Sequence, residues 1–277
     1  MINDEMNKTL QLSPEIIKLQ EDIAVLEKEL GKVILEHDEM INTVKPNLEA
    51  EYQKKIGYKE LERMETEITA RRFKRQIELI QAAVNRQESI EESEIENQLD
   101  DEFQEWYKKI EEEYRKMKEA EDRLNCLMSD EESTEFTKLY RQLVFKLHPD
   151  LNPNQTKDED NLWHRVQLAY EGGDLEEMRS LAIILDAQHE TVELPSSKDV
   201  LQKRKEKLTE QIQKTINTMS ELEQKFPFNI IGKLADNDWV NTKVEEIQEQ
   251  VNQWQEKCKH YEDLIKVLLV NKSAGVN

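Results

Sequence analysis

Glycine and proline are scarce in this chain, six of each among 277 residues, and aromatic side chains make up only 6%. So few turn formers leave little room for the many hairpins of a sheet-rich fold. The two cysteines, Cys126 and Cys258, are too isolated for a disulfide framework and read as free thiols in a reducing compartment. Long apolar runs are missing: the longest are Leu181–Leu185 and Val267–Val270, far short of the roughly 20 residues that cross a bilayer. The opening residues, Met1 to Ile16, have neither the basic stretch nor the apolar core of a secretory signal. No glycine-rich phosphate loop, nucleophile elbow or dinucleotide fingerprint occurs, so nothing marks an enzyme or a cofactor site. These absences predict a non-enzymatic, cytoplasmic protein that does not enter membranes.

What is abundant is charge. Charged residues reach 36%, with 39 basic against 60 acidic and a formal net charge of −21. Such a chain repels phosphate backbones, which argues against nucleic acid as a partner. The mixture of Glu, Lys, Gln, Leu and Ile is that of long amphipathic helices. Ser13-Pro14-Glu15 reads as an N-cap with proline in the first helical turn. From there Ile16, Leu19, Ile23, Leu26, Leu30, Val33, His37 and Met40 recur at alternating steps of 3 and 4, a heptad seam. Pro46 is expected to end this helix. A second segment runs from about Leu48 to Arg86, with a five-residue step between Ile68 and Phe73 that breaks the heptad phase. A third carries Ile95, Leu99, Phe103, Trp106 and Ile110, after possible caps at Ser89 and Ser93. A fourth carries Leu201, Leu208, Ile212, Met219 and Leu222, and the last keeps an unbroken seam from Val244 to Leu268. Short connections favour antiparallel neighbours. They predict an N-terminal hairpin folded at Lys45-Pro46-Asn47 and a C-terminal hairpin folded at 227–236. Whether the seams close within one chain or in a homo-dimer is left open by the pattern.

The middle differs. Ser129-Asp-Glu-Glu132 is a capping-box signature, followed by a helix to about Leu147 with Leu139, Leu143 and Leu147 on one face. His148-Pro149-Asp150 stops it, and a polar, proline-broken loop follows. Leu162, Val166, Ala169 and Tyr170 then mark a returning helix. Gly172-Gly173 ends that helix, and Asp174 caps a short last one. Proposed boundaries are therefore 1–128 for an N-terminal long-helix region, 129–187 for a small helical domain, 188–197 for a linker and 198–277 for a C-terminal hairpin. The fold class is all-α, with long helical hairpins or coiled coils flanking a small antiparallel helical domain.

The segment from Leu139 to Pro153, with Tyr140-Arg141, Lys146, His148-Pro149-Asp150 and Asn152-Pro153, resembles helix II and the His-Pro-Asp loop of a J domain. Trp163 to Glu171, ending Ala169-Tyr170-Glu171, resembles the start of its helix III. The match covers 129–187 of the chain. The stretch Phe73 to Ala82 also resembles a coiled-coil, DnaJ-like group from anaerobic Gram-positive bacteria. The resemblance implies a co-chaperone that docks on a DnaK-type heat-shock chaperone and stimulates its ATPase, without nucleotide or chemistry of its own. It implies that Lys138, Arg141 and Lys146 steer the encounter, while His148, Pro149 and Asp150 present a rigid tip with the imidazole and carboxylate outward. The arms would hold clients or set self-association. Gln142 and Leu151 replace basic residues usual in the family, and the family's helix I is missing; Leu124 and Leu127 are expected to fill its packing role. The alternative is a coiled-coil scaffold in which this segment is a packing module.

Other polar groups read more simply. His37 is a tolerated polar seam residue, while Trp163 and His164 belong to packing and surface. His189 and His260 lack metal-ligand spacing. Arg71, Arg72, Lys74 and Arg75, the one dense basic cluster, are expected to pair with an acidic partner helix rather than form a binding patch.

Overall fold

The computed structural model describes residues 13–88, 91–125, 128–186 and 197–274, and every regular element among them is helical. None of the helices is long and apolar enough to cross a membrane among the described residues. The helices are α1 (Pro14–Glu39), α2 (Lys45–Tyr52), α3 (Tyr58–Asn85), α4 (Glu92–Asn125), α5 (Asp130–Leu147), α6 (Lys157–Gly172), α7 (Leu175–Asp186), α8 (Lys198–Glu223), α9 (Ile231–Leu234) and α10 (Asn237–Ala274). Ser13 caps α1 as its spacing predicts, its side chain accepting from the Ile16 amide. Ser89, Cys126, Leu127 and His189 lie outside the described residues.

Pro46 does not end a helix. A π-helical turn, Met40–Val44, stands directly before Lys45, whose amide donates to the Met40 carbonyl. Widening the coil by one residue relieves the clash of a proline ring with the carbonyl four residues back, and the missing N–H is absorbed there. A second π turn, Gln53–Gly57, leads into α3. The expected fold-back at 45–47 is therefore replaced by continued helix.

Compactness divides the chain into two units, bounded Met1–Lys45 with Leu127–Asn229 and Pro46–Cys126 with Ile230–Asn277. The division falls inside 1–128, the stretch expected to form one N-terminal long-helix region. In the first unit α1 and α8 lie side by side and parallel: Lys198 pairs with Glu15 and Lys205 with Asp22, each at 2.7 Å. The two pairs are a heptad apart on both helices. Their seam, with Ile23, Leu30, Leu201 and Leu208, joins the α5–α6–α7 core of Phe136, Leu143, Leu147, Val166, Met178 and Leu181.

In the second unit α3 is central. It runs antiparallel to α4, as Arg72–Asp100 and Tyr114–Glu65 contacts show. It runs parallel to α10: Lys59 donates to Gln248 at 2.6 Å and the Cys258 thiol reaches the Thr66 carbonyl at 3.5 Å. Burial pushes the Cys258 thiol pKa up. Ile77, Ile80 and Ile265 close the far end of this pairing. In each unit, then, the closest long pairing is parallel and joins segments distant in sequence. At 227–236 the chain passes through a 3-10 turn, Phe228–Ile230, and the four-residue α9. The apolar face of α8 is covered by α1, and that of α10 by α3. Two of the four basic residues pair with the acidic helix α4 as expected, Arg72 with Glu96 and Asp100 and Arg75 with Glu102, while Arg75 also meets Glu78 and Arg71 pairs with Glu67 on α3 itself. The Arg71 guanidinium stands between the rings of Trp106 and Trp254, at 5.6 and 5.9 Å.

Candidate functional site around the His-Pro-Asp turn

The turn is fixed by the helices before and after it. Ser129 and Glu132 close the capping box that opens α5. At the other end His148 takes an extended conformation, ψ 129°, as a residue before proline must. The last carbonyls of α5 need partners, and the loop supplies them. Asn152 donates through its amide to Phe145 at 3.2 Å and His148 at 3.3 Å, and Gln155 donates to Leu147. The backbone amides of Leu151 and Asn152 close on the His148 carbonyl at 3.0 and 2.9 Å. Thr156 and Glu159 form a second capping box and start α6. Gly173, in the left-handed region at φ 65°, ends α6, and Asp174 caps α7 by accepting from the Glu177 amide at 2.9 Å.

The core beneath is aromatic. Tyr140 stacks on Tyr170 at 3.7 Å, Phe136 on Tyr170 at 5.3 Å, and Trp163 meets the His148 ring edge-on at 4.9 Å. The Tyr140 hydroxyl donates to Asp38 at the end of α1; burial and that carboxylate push its pKa far above the usual phenol value. Gly31 of α1 receives the Phe145 ring, with no room for a Cβ. Thus α1 packs on α5 where Leu124 was expected, and the expectation for Leu127 lies outside the described residues. Leu124 instead lines a cavity of about 450 Å³ in the other unit, with Gln53, Tyr58 and Tyr114.

The six residues singled out by sequence are not equally available. Lys138 and Arg141 are exposed on one outward face of α5, and Pro149 is exposed at the tip. Lys146 is half-buried. The imidazole and carboxylate, expected to point outward, are turned toward the protein's own helices. His148 Nδ1 accepts the Asp150 amide at 3.1 Å, which makes Nδ1 the acceptor of a neutral ring. Burial lowers the His148 pKa, opposed by the nearby Asp150 and Asp38 charges. Asp150 Oδ1 accepts from the Gln211 amide at 2.6 Å. Its carbonyl and that of Leu151 accept from Arg204 at 3.2 and 2.8 Å, and Arg204 also meets Glu27 of α1 at 3.2 Å.

Sequence reasoning missed Arg204, Gln211, Glu27 and Asp38. One signal was available: Arg204 is the single arginine in α8, where a fork of donors outperforms lysine only at a specific partner. Among the described residues no group of three or more His, Cys, Asp or Glu is arranged to hold a metal ion. No family model, curated protein or solved structure matches this chain.

Proposed function

We propose that the chain is a co-chaperone that docks on a DnaK-type ATPase through the Lys138–Arg141 face of α5 and the Pro149 tip, and stimulates ATP hydrolysis. One observation carries this reading. A proline-arrested helix has its last carbonyls, those of Phe145, Leu147 and His148, capped by its own loop, so Pro149 stands exposed at the end of the helix that carries the two exposed cations. On a chain of net charge −21, that cationic face directs encounter toward an acidic partner. Binding one conformer of an ATPase more tightly than another shifts its equilibrium without any chemistry in the co-chaperone.

The test is single-turnover ATP hydrolysis by a DnaK-type chaperone with and without the chain. Addition should raise the rate, and His148→Gln should remove the increase while circular dichroism stays unchanged. Equal effects of wild type and variant would refute the assignment.

A second reading, a structural scaffold, draws support from the seating of Phe145 on Gly31 and the grip of Gln211 on Asp150. It predicts that Lys138→Glu with Arg141→Glu leaves every association of the chain unchanged. In the co-chaperone reading this charge reversal abolishes ATPase stimulation.

A further inference from the structure

We propose that α8 is a latch on the His-Pro-Asp turn: Arg204 and Gln211 hold Asp150 and Leu151 in a closed arrangement behind the exposed Pro149, and their release adds the Asp150 carboxylate to the docking tip. This inference rests on the co-chaperone reading and adds its regulation. Arg204 and Gln211 are seven residues apart, hence on one face of α8, and both reach the same two-residue turn. The Arg204 side chain is only 16% exposed. Its donors go to two backbone carbonyls and to Glu27, a set of partners specific to the closed turn.

Gln211 shows why the closed state is poised rather than locked. Its amide must present nitrogen to the Asp150 carboxylate, because the flipped amide would set oxygen against oxygen. That orientation leaves Gln211 Oε1 buried without a hydrogen-bond partner. A buried, unpaired acceptor raises the energy of the state that contains it. Opening gives water to both Oε1 and the Asp150 carboxylate, so the two sides of the equilibrium are drawn together. Arg204 is also braced by α1 through Glu27, beside the Lys205–Asp22 pair of the same helices. A shift of α8 along α1 therefore removes both holding groups from the turn at once. Docking that engages Asp150 as well as Pro149 is weakened by the fraction of molecules that are closed.

The experiment uses the full chain with Gln211→Met, which keeps the volume but removes both the hydrogen bond and the orphan oxygen, and separately Arg204→Met. Stimulation of a DnaK-type ATPase is titrated for each. The expected result is that half-maximal stimulation needs about fivefold less of either variant, and that the Leu151 and Asn152 amides exchange with solvent faster. His148→Gln placed on Gln211→Met should remove the gain, tying it to the turn rather than to loosened structure. Equal half-maximal concentrations for wild type and both variants, with stimulation present, overturn the latch and leave the co-chaperone reading standing. No stimulation by wild type or any variant overturns both.

Discussion

Gly31→Ala tests the packing of the site most directly. A Cβ at this position would stand 2.4 Å from Phe145 Cε1 and 2.5 Å from Cζ. Carbon atoms prefer about 3.5–4.0 Å, so the ring must retreat by more than about 1 Å. Overpacking of this kind costs about 1–3 kcal/mol. Against it, alanine gains about 1 kcal/mol over glycine in a helix interior. The net expectation is a loss of about 1 kcal/mol from the first unit. Phe145→Leu removes the atoms that collide, so in that background the same substitution should stabilise by about 1 kcal/mol. The double-mutant coupling is then about 2 kcal/mol, within the range for touching residues. Urea unfolding followed by fluorine NMR of 5-fluorotryptophan at Trp163 reports this unit separately from the other. Stabilisation by Gly31→Ala in both backgrounds would show that Phe145 is not seated on α1, and the account of the site would fail with it.

Three further outcomes follow from the same structure. Acid should weaken the first unit through His148: its folded pKa lies below the ordinary 6.5 because of burial, so the unfolded state takes up the proton first. Stability then falls as pH drops from about 6.5 toward the folded value, and His148→Gln should flatten that part of the urea-midpoint profile; an unchanged slope refutes the assignment. Arg71→Ala should cost the second unit about 1 kcal/mol by removing a cation shared by Trp106 and Trp254, and should shift tryptophan emission, with Arg71→Lys restoring only part. Thr156→Ala should lower the first unit's stability by about 1 kcal/mol through loss of the α6 cap, whereas Thr156→Ser should stay near wild type; equal losses would argue against capping.

Much of this architecture was readable in the residues themselves. Ser13 before Pro14, Ser129 three before Glu132, and Gly173 before Asp174 state helix ends through local hydrogen bonding, and the structure uses each of them. The pairing of Arg72 and Arg75 with α4 carboxylates was also legible, because opposite charges at helical spacing attract wherever the helices meet. Partner choice was not. An amphipathic seam records that a helix is covered, not which helix covers it or in which direction, so parallel and antiparallel pairs share one pattern. Pro46 misled for a related reason: its penalty is stated for a regular coil, and the Met40–Val44 π turn changes the coil. Around the site, His148, Pro149 and Asp150 carried a local signature. Gln211 and Glu27 carried none, since their meaning comes only from the arrival of α8 and α1 at the turn.

The parallel contact of α3 with α10 joins residues as far apart as Thr66 and Cys258, 192 positions along the chain. At ribosomal speeds of about 5–20 residues per second, α3 emerges roughly 10–40 s before its mate exists. During that interval Ile77 and Ile80 have no cover from α10, so the nascent chain offers a sticky surface to whatever is near the exit tunnel. Assembly of this unit is thus timed by translation rather than by collapse, and slow codons between the two helices would lengthen the exposure.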